Sequence, residues 1–136
     1  MRFVATILCV DDDEDDQLFI KEAIRSYGKP FHIVEAKNGW DALTFLKESL
    51  AKEELPCLVI MDMNMPKMDG THTIKKIKEI EGLREMPIAV FTTSSNLADK
   101  EYFETNGIHF LTKSFDYKIF TKEIVDLLGF CARLGE

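Results

Sequence analysis

An α/β chain, five β-strands each followed by a helix and doubly wound into a (βα)5 three-layer sandwich around a parallel five-stranded sheet, is the fold this sequence predicts. Three observations point there. Short apolar runs alternate with longer amphipathic stretches, the pattern of successive βα units. Several of those runs are almost continuously apolar, as strands covered on both faces must be. Turn-forming Gly28-Lys29-Pro30, Asn38-Gly39 and Gly82 fall between the runs, where the chain has to reverse.

The strand candidates are residues 7–10, 32–35, 58–61, 88–91 and 110–112. The first, third and fourth are the most apolar and belong in the centre; the second and fifth are weaker and peripheral. Four helices are read from apolar residues at helical spacing: Phe19, Ala23, Ile24 and Tyr27; Leu43, Leu46 and Leu50; Ile74, Ile77 and Ile80; Phe120, Ile124, Leu127 and Leu128. Residues 96–106 form a poorer helix, with an apolar face reduced to Leu97, Tyr102 and Phe103 and with Gly107 as C-cap. That helix is expected to be the least firmly packed. Right-handed crossovers put helices on both faces of the sheet, and the functional crevice of such a sheet lies at the carboxyl ends of its strands.

A length of 136 residues suits a single domain spanning 1–136, with no separate output domain expected. With 46% hydrophobic and 30% charged residues, the chain has too many apolar residues for a disordered protein and too many charges for a membrane one. Its net charge of −7 and pI near 5.0 argue against a nucleic-acid binder, which relies on clustered Lys and Arg. No segment approaches the length of a membrane span, and the apolar run after Met1-Arg2 ends in acids and not at a cleavage site. A cytoplasmic protein is expected. The three cysteines, Cys9, Cys57 and Cys131, show no zinc-ligand spacing and are read as small buried hydrophobes in a reducing compartment.

The strand ends carry the chemistry. The first delivers Asp11 and Asp12, the third Asp62, the fourth Thr92 and Thr93, and the fifth Lys113, all toward one crevice. Three carboxylates packed together repel unless a cation compensates, so the cluster predicts a divalent ion, and an oxygen-only donor set favours Mg²⁺ over zinc. A carboxylate beside Mg²⁺, faced by a hydroxyl and an ammonium, suits phosphoryl transfer with Asp62 as nucleophile. An acid that ends an apolar strand carries a solvation penalty that only a function explains. Which of Thr92, Thr93 and Ser94 faces the phosphoryl group is open on chemistry alone. Asp13 or Asp15 is expected to cap the first helix, whose apolar stripe starts only at Leu18 or Phe19.

The segments Ile7-Leu-Cys-Val-Asp-Asp-Asp13, Met61-Asp-Met-Asn-Met-Pro-Lys-Met-Asp-Gly70, Phe91-Thr-Thr-Ser94 and Leu111-Thr-Lys-Ser-Phe115 resemble those of response-regulator receiver domains, the family of the chemotaxis regulator and the small phytochrome-associated regulators. The resemblance covers almost the whole chain, in the right order at the right strand ends. It implies a flavodoxin-like sheet of order 2-1-3-4-5. It also implies that Asp62 accepts a phosphoryl group from a sensor histidine kinase, a phytochrome-like one being a candidate, with slow self-dephosphorylation. Asp12 and Asp62 would bind Mg²⁺ directly, Asp11 mostly through water, and Asn64 through its backbone carbonyl. Thr92 would donate to the phosphoryl group, Lys113 would pair with the carboxylate or a phosphoryl oxygen, and Phe110 would be the rotating aromatic coupled to Thr92. The switched surface would be that of the fourth helix, fifth strand and fifth helix, open to an unknown downstream protein or a second copy of the chain.

Ser114 departs from the family, which places a proline after the lysine in a cis bond. Because a cis bond before serine is costly, Lys113–Ser114 is expected to be trans, with Asp116 free to cap the last helix. His32, His72 and His109 are read as structural or surface residues, and Trp40, Met61, Met63, Met65 and Met68 as packing. Two other aspartate- or phosphate-handling classes fit less well. A haloacid-dehalogenase-type hydrolase would place its Asp-x-Asp nucleophile after the first strand and needs room for a cap. An FMN carrier would not tolerate acids where its cofactor phosphate binds. A pseudo-receiver, which keeps the fold without phosphorylation, is expected to have lost the acids or the lysine, and here all are present.

Overall fold

The computed structural model describes residues 4–63, 65, 69–92, 97–112 and 116–134. Strands and helices alternate in the order β1 (Thr6–Val10), α1 (Glu14–Ser26), β2 (His32–Ala36), α2 (Gly39–Ala51), β3 (Leu58–Asp62), α3 (Gly70–Glu79), β4 (Ile88–Thr92), α4 (Leu97–Thr105), β5 (His109–Thr112) and α5 (Tyr117–Leu134). All five strands are parallel, in the order β2-β1-β3-β4-β5. Each lies within one residue of the run that predicts it.

Side chains alternate across a strand, so neighbouring residues enter different cores. Leu8, Val10, Val59, Met61, Ile88 and Val90 pack with Ala42, Leu46, Ile74, Ile77 and Phe103, on the side of α2, α3 and α4. Ile7, Cys9, Leu58, Ile60, Ala89 and Phe91 pack with Ile20, Ala23, Ile24, Ile124 and Leu128, on the side of α1 and α5. Every residue of β3 is buried, as a strand with neighbours on both edges and helices on both faces requires. At the sheet edge β2 is only partly covered; its exposed Glu35 forms an ion pair with Lys21 of α1.

The acid run divides its work along the chain. Asp13 is the N-cap of α1, its carboxylate accepting from the N–H groups of Asp15 and Asp16 at 2.8 and 3.2 Å. Glu14, Asp15 and Asp16 then fill the first turn, where the helix dipole favours negative charge. The helix therefore starts before its apolar stripe does. That stripe is Gln17, Ile20, Ala23 and Ile24, and Phe19, expected within it, is 48% exposed and rests against Tyr117 of α5. Trp40, expected to be packing, is 55% exposed at the start of α2 with the Lys76 ammonium 5.9 Å from its ring centre. Met61, Met63 and Met65 are buried as expected, and Met68 lies outside the described residues. His32, His72 and His109 are all exposed.

α4 is held, among its described side chains, by one wholly buried residue, Phe103, whose burial contributes roughly 1.5–3 kcal/mol. The helix stops at a Schellman motif: Gly107, at φ +72°, donates to Glu104 at 3.2 Å while Ile108 donates to Phe103 at 2.8 Å. Asp116 caps α5 through a 3.0 Å bond from the Lys118 N–H. Lys113–Ser114 and its peptide geometry lie outside the described residues.

The expectation of three unpaired cysteines is corrected. Cys57, just before β3, and Cys131, on α5, form a disulfide, with Cα atoms 5.6 Å apart and 74 residues of chain between them. The fold brings together two positions that no sequence spacing connects. Cys9 is a free, buried thiol, as expected.

The end of α2 repeats the Schellman bonds of α4, Glu53 to Leu50 at 3.1 Å and Glu54 to Ser49 at 2.9 Å, but uses Glu53 at φ +57° where glycine is favoured. Relief of that left-handed strain outweighs the added unfolded-chain entropy, so Glu53→Gly should stabilise the protein by roughly 0.5–1 kcal/mol. Urea unfolding measures the gain, and a lower midpoint would contradict the strain.

Candidate functional site

The parallel register carries the acids to one level. Val10 of β1 is opposite Met61 of β3, so the next residues, Asp11 and Asp62, leave the sheet side by side. Asp62 is in turn opposite Phe91, which sets Thr92 one step further along β4 and opposite Thr112 of β5. Asp11 and Asp62 are 1% and 3% exposed, whereas Asp12 faces solvent. One carboxylate oxygen from each of Asp11, Asp12 and Asp62 lies within 4.8 Å of the others.

Two unit charges about 5 Å apart repel by roughly 3 kcal/mol at an effective dielectric near 20, and burial of two of these groups removes the water that would screen them. An all-oxygen donor set with this spacing fits a hard divalent cation and offers nothing to a thiophilic one. The expected grouping of Asp11, Asp12 and Asp62 is thus present in the folded chain.

Several backbone contacts fix the acids. The Asp11 N–H donates to Ala36 at 3.0 Å, and the Asp11 carboxylate accepts from the Asp13 N–H at 2.9 Å, which binds the site to the start of α1. On the far side of Asp62, the Met63 N–H donates to Phe91 and the Gly70 N–H donates to Met63, both at 3.2 Å. Gly70 is necessary there: a Cβ would lie 2.7 Å from the Met63 sulfur and 3.1 Å from the Asp62 carbonyl oxygen. The helix that follows the site can close on the strand only because that position has no side chain.

Gln17 is a residue the sequence reading passed over. It is 5% exposed, and its side-chain amide nitrogen lies 3.2, 3.0 and 3.3 Å from the carbonyl oxygens of Cys9, Asp11 and Ala36. One amide group thereby ties the carboxyl ends of β1 and β2 to α1, directly beneath Asp11. The signal was available, since Gln17 precedes Ile20 and Ile24 by three and seven residues and so lies on the buried stripe. A polar side chain on that stripe needs buried partners.

Asp13 is committed to capping α1, so Asp11 and Asp13 do not form the paired acids a dehalogenase-type hydrolase would need after its first strand. Phe110, on β5, is half-buried and stacks on Phe103 of α4 at 5.9 Å between ring centres and 28° between planes. Thr92 ends β4 as expected, with its side chain outside the described residues, as are Asn64 and Lys113 altogether. No helix among the described residues is long and apolar enough to cross a membrane.

Comparison with known proteins agrees with this geometry. The chain is 35% identical over 125 residues to histidine kinase P4 of Formosa agariphila, covering 91% of this chain but only 8% of that much longer protein. It is 29% identical over 127 residues to the response regulator Rcp1 of Synechocystis, covering 91% and 86% of the two chains. Among solved structures, the phosphorylated cyanobacterial phytochrome response regulator RcpA superimposes with a TM-score of 0.82 at 26% identity over 94% of each chain. The Mn²⁺-bound form of Rcp1 gives 0.78 at 28% identity, over 90% of this chain and 91% of that one. The family model for the response regulator receiver domain matches residues 7–125, and with the sheet order and acid cluster described above it establishes that this chain belongs to the receiver-domain family of two-component response regulators.

Proposed function

We propose that the chain is a phosphoacceptor switch in which Asp62 takes a phosphoryl group from a histidine kinase in a Mg²⁺-dependent reaction. The observation that carries this reading is the buried Asp62 carboxylate at the end of β3, within 4.8 Å of the carboxylates of Asp11 and Asp12. Asp11, Asp12 and Asp62, with the backbone carbonyl of Asn64, are the residues that would hold Mg²⁺. When bound, the ion offsets charge on the transferring oxygens.

In the transfer an Asp62 oxygen attacks phosphorus, a P–O bond forms, and the P–N bond to the donor imidazole breaks. Thr92 donates its hydroxyl to a phosphoryl oxygen and Lys113 pairs with another. Asp11, Asp12 and Asp62 would otherwise repel an incoming anion, so the cations beside them are a condition of the chemistry. The relatives support the reading: RcpA has been captured phosphorylated, and Rcp1 with Mn²⁺. A phytochrome-like sensor kinase is the partner they suggest.

The output surface is that of α4, β5 and α5. As Thr92 moves toward the phosphoryl group, Phe110 turns into the space it leaves, changing its stacking on Phe103 and the seating of α4, whose one wholly buried side chain among those described is Phe103. A downstream protein or a second copy of the chain would read that change.

Acetyl phosphate with Mg²⁺ should add one phosphoryl group by intact mass to the wild type and none to Asp62→Ala. Amide exchange in residues 97–110 should change on phosphorylation, and a change confined to residues 11–16 would refute the output surface. Rapid multiple turnover of phosphomonoesters would instead indicate a hydrolase.

Mg²⁺ alone should raise the melting temperature by several degrees at about 10 mM, because it binds only the folded cluster. The shift should vanish in Asp12→Asn. An unchanged wild-type midpoint would remove the metal from the site.

A further inference from the structure

β3 has two functional ends. Asp62 leaves its carboxyl end, and Cys57 enters its amino end, roughly 17 Å away at about 3.3 Å per residue. Cys57 is half-buried and follows buried Pro56, with Glu53, Glu54 and Leu55 exposed before that, and its N–H donates to Thr6 at 2.8 Å. Its disulfide partner Cys131 is wholly buried on α5, in the core shared with Leu58, Ile60, Ile124 and Leu128. The third thiol, Cys9, belongs to that core but is buried on β1, and burial pushes its pKa up to about 12. Cys9 therefore keeps its proton and takes no part in exchange.

We propose that Cys57 and Cys131 form a reversible thiol–disulfide site that takes low-molecular-weight disulfides as oxidant and thiols as reductant, and that its state sets how firmly the end of α5 is held to the sheet. Unequal burial is what separates this pair from an inert staple: Cys57 is a partly exposed residue at the margin of the core, whereas Cys131 is wholly buried in it. In the reduced chain the Cys57 thiolate attacks one sulfur of the external disulfide, forming a mixed disulfide and releasing one thiolate. The Cys131 thiolate then displaces the second thiolate from the Cys57 sulfur. Two protein thiols are oxidised by two electrons, one external disulfide becomes two thiols, and the two protons pass to them. Reduction runs the same exchange backwards, with entry at Cys57.

The fold tolerates both states. β3 and α5 remain packed through Leu58, Ile60, Ile124 and Leu128 whether or not the bond is present. The difference falls on the last turns of α5, where Phe130 is 47% exposed and Cys131 is the buried anchor. With the bond closed, a loop spanning 74 residues of sequence is constrained in the unfolded chain and the helix end is tethered in the folded one. With it open, that end can fray and change how Phe130 is presented. This site lies at the opposite end of the sheet from Asp62 and does not depend on phosphorylation.

The test equilibrates the full chain in glutathione buffers from reducing to oxidising, quenches with acid, alkylates under denaturing conditions and reads intact mass. One alkylated cysteine, Cys9, is expected at the oxidising end and three at the reducing end, with a single two-electron transition between them. Cys131→Ser should accumulate a glutathione adduct at Cys57, whereas Cys57→Ser should accumulate none, because entry is through Cys57. Reduction of the wild type should speed amide exchange in residues 129–134 and lower the melting temperature by roughly 10 °C. Three alkylated thiols at every ratio would overturn the pairing, and one at every ratio would overturn its reversibility. The wild-type titration decides the question even if a variant does not fold.

Discussion

Repulsion among carboxylates brought to the same level by parallel strand register is the constraint on which the site depends. Asp11 and Asp62 follow the paired residues Val10 and Met61, and both are themselves buried at the ends of continuously buried strands. The surrounding structure is arranged to hold that unfavourable grouping. Gln17 clamps the carbonyls beneath Asp11, the Asp13 N–H binds its carboxylate, and Gly70 lets α3 close behind Asp62. Three acids held this close gain from a bound divalent cation, which is the physical ground for the metal in the proposed reaction.

The six-acid run, which would pass for a solvated tail, has three distinct duties within a few residues. Asp11 and Asp12 join the cluster, Asp13 caps α1, and Glu14, Asp15 and Asp16 lie at the positive end of the helix. This division makes the strand end and the helix start one continuous unit, so the geometry of the site and the stability of α1 are not separable.

Strand positions and the acid cluster were legible because they rest on local signals: unbroken apolar runs and acids where those runs stop. Long-range relations were not. Nothing near Cys57 in sequence announces Cys131, because a disulfide depends on where two distant elements dock. Phe19 misled for another reason: its spacing from Ala23 fits a helical stripe, but the buried stripe runs through Gln17, Ile20, Ala23 and Ile24, one position round; Trp40, read as packing, is exposed. Gln17 itself was hidden by its polarity, although its spacing from Ile20 marked the buried side. Asn64, Lys113 and Ser114 lie outside the described residues, so their roles rest on the family resemblance and not on geometry.

The alternation of side chains through the sheet divides the interior into two compartments that share only backbone. Ile7 and Leu8 are bonded neighbours, yet one meets α1 and α5 and the other meets α2 and α3. A change of volume on one side is absorbed by the helices on that side, so losses from substitutions in opposite compartments should sum, while those within one compartment should not. The two halves of the interior are thus free to diverge in composition independently, each answerable to its own layer of helices and both to the same five strands.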